Sequence, residues 1–294
     1  MKIAERFKLW ICISLVIIVA GFGLAAVNGF NLGIDFTGGT MMQINLNQAS
    51  VPVDEVQELI KDFNLDAEIV HAGSNKEEVI IKTSQSLSNA DRVEIFNKFV
   101  EAYGLENDDF RGAEQFGPSV GSELQQKALM SILIASIGML IYISFRFEVV
   151  YGVTAIIALI HDVLILLAVY SLFNIPVNSS FIAAVLTIVG YSINDTIVVF
   201  DRVRENVKLM KRASFNDIAN TSLLQTFSRS INTSLTTLLV IGALYFLGVE
   251  SIKEFALPLM AGIITGTYSS IFIASPLWAA IKTYKRSKEH YSKA

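Results

Sequence analysis

Residues 181–200 read FIAAVLTIVGYSINDTIVVF. As a helix, twenty such residues rise about 30 Å, the thickness of the hydrocarbon core of a bilayer. The run carries one formal charge, Asp195, and is bounded by PVNSS at 176–180 and DRVRE at 201–205. It therefore reads as a membrane-spanning helix with a carboxylate inside it. Working outward, five more apolar stretches of comparable length follow the same logic: 9–27, 128–145, 149–173, 231–249 and 255–281. Six spans are expected. The first, preceded by Lys2, Arg6 and Lys8, has the flanks of a signal peptide. It is longer than a signal core and ends in no small-x-small cleavage site, so it is expected to stay as an anchor.

Composition agrees. The chain has 294 residues, 52% hydrophobic and only 17% charged, with a mean hydropathy of +0.51. Soluble domains carry about 25% charged residues, so a soluble enzyme and a disordered chain are both disfavoured. A net charge of −4 leaves no basic excess for phosphate backbones, and no nucleic-acid partner is expected. The single cysteine, Cys12, permits no intrachain disulfide, and His71, His161 and His290 are too scattered for a metal site. Neither metal nor cofactor is expected.

Orientation follows from lysines and arginines in the short loops. With the N-terminus in the cytoplasm, fifteen basic residues fall on the cytoplasmic side and only Lys253 in the short outer loops. Both termini are thus expected in the cytoplasm, with a basic tail at 282–294 and a cytoplasmic segment at 201–228. The stretch 201–211 (DRVRENVKLMK) reads as a basic extension of the fourth span; a solvated topogenic stretch is the usual case, with anionic lipid or a ribosome as candidate partners.

The one long polar interval, 28–127, is then external. Residues 40–47 (TMMQINLN) alternate as a half-buried strand should. Residues 53–63 place Val56, Leu59, Ile60 and Phe63 on one helical face, and 67–72 and 78–83 read as strands. A second helix over 89–103, capped by Ser88 or Asn89, presents Val93, Phe96, Phe99 and Val100. Residues 109–116 supply the last strand. The order β-α-β-β-α-β is that of an α+β ferredoxin-like domain. The expected fold class is an α-helical polytopic membrane protein with one such external domain, its bundle over 128–281.

A carboxylate at mid-membrane costs about 2.5–3.5 kcal/mol on insertion scales, so it faces the interior and is a candidate for function. Asp195 and Asp162, the latter after His161 in the third span, are the two candidates. Thr187, Tyr191, Asn194 and Asp195 form one polar stripe, and Arg229, Thr233, Thr236 and Thr237 a second. If these stripes meet, Asp195 either gains and loses a proton beside a permanently charged Arg229, or the two form a static ion pair that fixes helix register. Arg229 also fits a positive-inside anchor. The pair His161–Asp162 reads equally as a local hydrogen-bonded packing element. In the sixth span, Gly262, Gly266, Ser270 and Ala274 recur every fourth residue, which lets another helix approach closely. Pro258 and Pro276 allow bends near its ends.

Five strings together resemble the SecF family of protein-export membrane proteins of bacteria and archaea. They are GIDFTGGT at 33–40, GPSVGSEL at 117–124, ALIHDV at 158–163, VGYSINDTIVVFDRVRE at 189–205 and SRSINTSLTTL at 228–238. They follow the family's order from end to end. The resemblance implies a cell-membrane transporter subunit rather than an enzyme. It also implies pairing with SecD, action with the SecYEG channel, SecA and YajC, and a translocating preprotein as cargo. It further implies that Asp195 carries the coupling ion, with Asn194 beside it, Arg229 as modulating partner and Asp162 as an additional candidate. It marks Gly33, Asp35, Gly38 and Gly39 as a hinge motif, with tight turns where a helix meets a strand as the equal alternative. The architecture also resembles the RND exporters, which relay protons through transmembrane carboxylates.

Three other readings stand beside this one. An intramembrane aspartyl protease would use Asp162 and Asp195 as a dyad, but the YD and GxGD strings of those enzymes are absent. An RND-type small-molecule exporter needs two six-helix halves, and this chain has one. A non-transporting assembly scaffold would use the external domain only for binding.

Overall fold

A computed structural model describes residues 2–73 and 75–291; of these, the side chains of 250, 251 and 289–291, His290 among them, lie outside the description. A single 3₁₀ turn, Ala4–Arg6, leads into α1 (Phe7–Asn28). Then come α2 (Ile34–Thr37), β1 (Gly39–Asn45), α3 (Val53–Ile60), β2 (Ala67–Ala72), β3 (Glu78–Thr83), α4 (Asn89–Tyr103) and β4 (Phe110–Phe116). The rest is helical: α5 (Pro118–Arg146), α6 (Val149–Leu172), α7 (Ser179–Leu209), α8 (Phe215–Leu247), α9 (Glu250–Ser269) and α10 (Ser275–Tyr291). Among the described residues, six helical stretches are long and apolar enough to cross a membrane, the last running through α9 and α10. The protein is a membrane protein.

The sheet order is β2-β3-β1-β4, antiparallel throughout. β1 and β2 are thus joined by α3 but separated by β3, the split arrangement of a ferredoxin-like domain. Met42, Ile44, Val79 and Ile81 alternate inward from the two central strands against Val56 and Ile60 of α3 and Ile95, Phe96 and Phe99 of α4. One expected core residue fails: Val93 is 58% exposed, and Ile95 is fully buried in its place. At 100° per residue, Ile95 lies one turn from Phe99, whereas Val93 is about 120° round the helix from it. Ser88 caps α4. Its hydroxyl accepts from Asp91 N at 3.2 Å, and its own N–H donates to Asp91 Oδ2 at 2.8 Å.

Three helices outrun their apolar stretches. α5 begins at Pro118, a residue suited to a helix start because its missing N–H would be unpaired there anyway. α7 continues to Leu209 and α8 begins at Phe215, so residues 210–214 alone separate them. Consequently Asp195 is sixteen residues from the start of α7 and fourteen from its end. α7 packs against α6, α8 and α9, and α1 lies along α6. Between α9 and α10 the helix widens into a π turn, Ser270–Ala274. Pro276 lacks the N–H that would bond the carbonyl four residues back, and the wide turn absorbs that loss. The Ser275 hydroxyl donates to Ser270 O at 3.4 Å, helping to close the turn.

Candidate functional site

The seam between α7 and α9 is set by small residues. A methyl group added at Gly262 would lie 2.0 Å from Ile188 Cδ1, and one at Gly266 would lie 2.9 Å from Ser192 Cβ. Ser270 Oγ is 2.7 Å from Thr196 Oγ1. The close approach brings the Ser269 hydroxyl of α9 to Asp162 of α6, and the Thr267 hydroxyl to Ser234 of α8.

Asp162, 2% exposed, is the fully partnered one. Its Oδ2 accepts from Ser192 Oγ at 2.6 Å and from Ser269 Oγ at 2.9 Å, and His161 Nδ1 lies 3.1 Å from Oδ1. His161 Nε2 is 2.7 Å from Ser14 Oγ on α1. The ring of Tyr268 stacks on His161 at 6.0 Å, and its hydroxyl donates to Trp10 O at 2.9 Å. Four helices therefore meet at Asp162. The sequence marks His161 and Asp162, but nothing local points to Ser14 or Tyr268.

Asp195, 8% exposed, is differently placed. Ser230 Oγ on α8 donates to its Oδ1 at 2.5 Å, while Oδ2 is buried with no hydrogen-bond partner among the described residues. Arg229 makes no ion pair with it within 4 Å among the described residues and is exposed on α8. The direct ion pair expected between the two stripes is thus not formed among the described residues, although Arg229 is near enough for its charge to act on Asp195, and Tyr191 and Thr237 of the two stripes meet. The inward stripe of α8 is Thr226, Ser230 and Ser234, one residue on from Arg229 and Thr233. A step of one residue turns a side chain by about 100°. Arg229, Thr233 and Thr236 are instead exposed on α8, as Thr187, Gly190 and Asn194 are on α7. Tyr191 stays within the seam, its hydroxyl 3.4 Å from both Ser234 Oγ and Thr237 Oγ1.

The glycine-containing segment 33–40 joins three parts of the molecule. Gly33 N donates to Val177 O at 2.8 Å, and Ser179 N, at the start of α7, donates to Asp35 Oδ2 at 2.9 Å. Gly38 has φ +80°, and Gly39 has φ +147°. A methyl group at Gly39 would lie 2.1 Å from Thr83 O, so β1 reaches β3 only because this residue has no side chain. Gly121 of α5 packs equally tightly on Phe36 O.

A helical bundle that buries carboxylates within its spans, and pins the helix carrying one of them to a polar domain, defines a polytopic membrane protein of transport type. The chain belongs to the SecD/SecF family. The family described as Protein export membrane protein SecD/SecF, C-terminal, matches residues 96–284, and the SecD/SecF GG Motif matches residues 23–50. The chain is 42% identical to Protein translocase subunit SecF of Calditerrivibrio nitroreducens, covering 96% of this chain and 94% of that one. It is 40% identical to the subunit of the same name from Desulfurispirillum indicum, over 91% and 87% of the two chains. It also resembles the crystal structure of SecDF, a translocon-associated membrane protein from Thermus thermophilus. There the TM-score is 0.82 at 37% identity, covering 95% of this chain and 38% of that one. In that relative, SecD and SecF are parts of one polypeptide.

Proposed function

We propose that the chain is the SecF-type subunit of a SecD–SecF complex, in which a transmembrane ion gradient drives unfolded preproteins outward after SecA and ATP have started them through SecYEG. In this reading, residues 28–127 are external, and residues 201–228 and both termini are cytoplasmic. YajC is a further partner, and the chain itself catalyses no bond chemistry. The observation that carries the reading is Asp195. It is a mid-helix carboxylate with one oxygen held by Ser230 and the other unpartnered, which suits a group that takes up and releases an ion.

Beside Asp195, the exposed polar residues Thr187, Asn194, Arg229 and Thr233 would be costly against lipid and are the natural seat for SecD helices. Arg229 then faces the shared interface while its charge still acts on Asp195 within this subunit. A potential of order 150 mV supplies about 3.5 kcal/mol per charge moved, enough to bias a two-state element by a few hundredfold. Because Asp35 and Val177 tie the start of α7 to the external domain, a shift of α7 is delivered there.

The test is Asp195→Asn, which keeps the shape but does not titrate. Preprotein translocation into vesicles after ATP depletion should lose its dependence on the gradient, while SecA-driven initiation and assembly with SecD survive. Asp195→Glu should retain part of the activity, and Arg229→Lys should exceed Arg229→Ala. Full gradient-driven export by an assembled Asp195→Asn complex would refute the ion-carrying role.

A further inference from the structure

We infer that His161 and Asp162 form a second proton-binding site in this subunit, with the Ser14 hydroxyl as its switch. An ionised Asp162 beside a neutral His161 leaves a net negative charge buried where α1, α6, α7 and α9 meet. One added proton makes the pair neutral overall. The surrounding groups accommodate both states without orphaning a donor or acceptor. Asp162 Oδ2 keeps its two serine hydroxyls, Ser192 and Ser269, and Oδ1 keeps His161 Nδ1, which donates to it in either state.

The change falls on His161 Nε2, 2.7 Å from Ser14 Oγ. When the ring is neutral, Nε2 accepts and Ser14 donates. When the ring takes a proton at Nε2, it donates, and Ser14 turns its hydroxyl to the Tyr268 Oη, 3.5 Å away. Tyr268 keeps its own hydrogen on Trp10 O and accepts on its oxygen, so no donor is orphaned and Trp10 O, which also takes the Ser14 N–H of α1, keeps only its two donors. A single hydroxyl rotation thus exchanges the two states. The titratable groups facing His161 are Asp162 on its own helix and the Tyr268 phenol from α9. The contacts from α1 and α7 are hydroxyls, Ser14 and Ser192. The π turn beginning at Ser270, directly after Ser269, gives α9 a locally irregular backbone at this point, a feature frequent at functional sites.

Ser192 also lies one turn before Asp195 on α7, so a change at the dyad reaches the helix that carries the first carboxylate. The use of this proton in transport rests on the proposed role of Asp195; its uptake does not. The chain, with ¹⁵N-labelled histidine, is reconstituted with unlabelled SecD in bilayers, and ring nitrogen shifts are followed from pH 8 to pH 5, the range in which histidine changes charge. His161→Gln identifies the signals among the three histidines. The His161 ring should pass from one protonated nitrogen to two. Proton uptake over the same range, read with an indicator dye, should fall by about one per chain in His161→Gln, in wild-type and Asp195→Asn backgrounds alike. A His161 signal that does not move would overturn the inference, and this reading on the unsubstituted protein does not depend on any variant folding. A moving signal together with unimpaired export by Asp195→Asn would leave the dyad standing and remove Asp195 from the mechanism.

Discussion

Lys82 Nζ on β3 lies 2.6 Å from Glu254 Oε1 on α9, and this ion pair is where the sheet meets the bundle. The second carboxylate oxygen of Glu254 accepts from Asn178 Nδ2 at 2.8 Å. Asn178 in turn caps α7, its Oδ1 accepting from Phe181 N at 3.0 Å. Both charged side chains are mostly shielded, at 16% and 21% exposure, so the contact outweighs an ordinary surface pair.

Lys82→Ala and Glu254→Gln should each loosen the external domain from α9 by about 1–3 kcal/mol. Hydrogen exchange should accelerate at the start of α9 and along β2 and β3, with the interior of the bundle unchanged. The charge exchange Lys82→Glu with Glu254→Lys should recover part of the protection.

Glu68, on β2, faces the same gap. Its carboxyl is raised above the ordinary value chiefly by loss of solvation. Lys82 opposes the shift, and Glu254 and Asp35 add to it. A raised carboxyl binds its proton more tightly in the folded state. Its contribution is therefore complete below the unfolded value and is lost as pH rises through the folded one. Glu68 is exposed at the edge of this gap, so solvent weakens the effect: Glu68→Gln should match the wild-type melting temperature near pH 4 and exceed it only slightly at pH 7. An equal effect at both pH values would assign the gain to something other than this carboxyl.

Gly262→Ala should cost about 1–3 kcal/mol by overpacking against Ile188, which is 3% exposed. Ile188→Ala alone should cost about 2–4 kcal/mol through the cavity it leaves. The double variant should be less destabilised than the sum, because the new methyl group occupies part of the vacated space. Thermal or denaturant unfolding in a fixed detergent checks the cycle. Strict additivity would mean that the two residues do not share the contact.

The orientation proposed above can be read with an impermeant thiol reagent on intact cells. With Cys12 replaced by Ser, a cysteine at Ser84 on the sheet side should label, and one at Lys211 in the turn between α7 and α8 should not. The reverse pattern would invert the topology.

Local pattern carried much of this structure. Alternation in 78–83 and a 3.6-residue period in 53–60 are set by which face of each element meets the core, so they show in the letters themselves. What escaped depends on rotation and distance. The polar stripe of α8 was read from Arg229, whose chemistry draws attention, while the inward residue is Ser230. Ser14 and Tyr268 converge on His161 from positions 147 residues before it and 107 after it in the chain, and no local spacing encodes such a meeting. The turns at Gly38 and Gly39 were legible as glycines, but their reason, the approach of β1 to Thr83 O, required the paired strand.

The exposed residues Thr187, Asn194, Arg229 and Thr233 bear on supply as well as on mechanism. A copy synthesised in excess of its proposed partner would leave these hydroxyls and the Asn194 amide facing lipid, with Arg229 at the edge of the fifth span. On the proposed pairing, the steady-state amount of the subunit should follow that of the partner able to cover these residues, and pulse-chase labelling with and without the partner would show it.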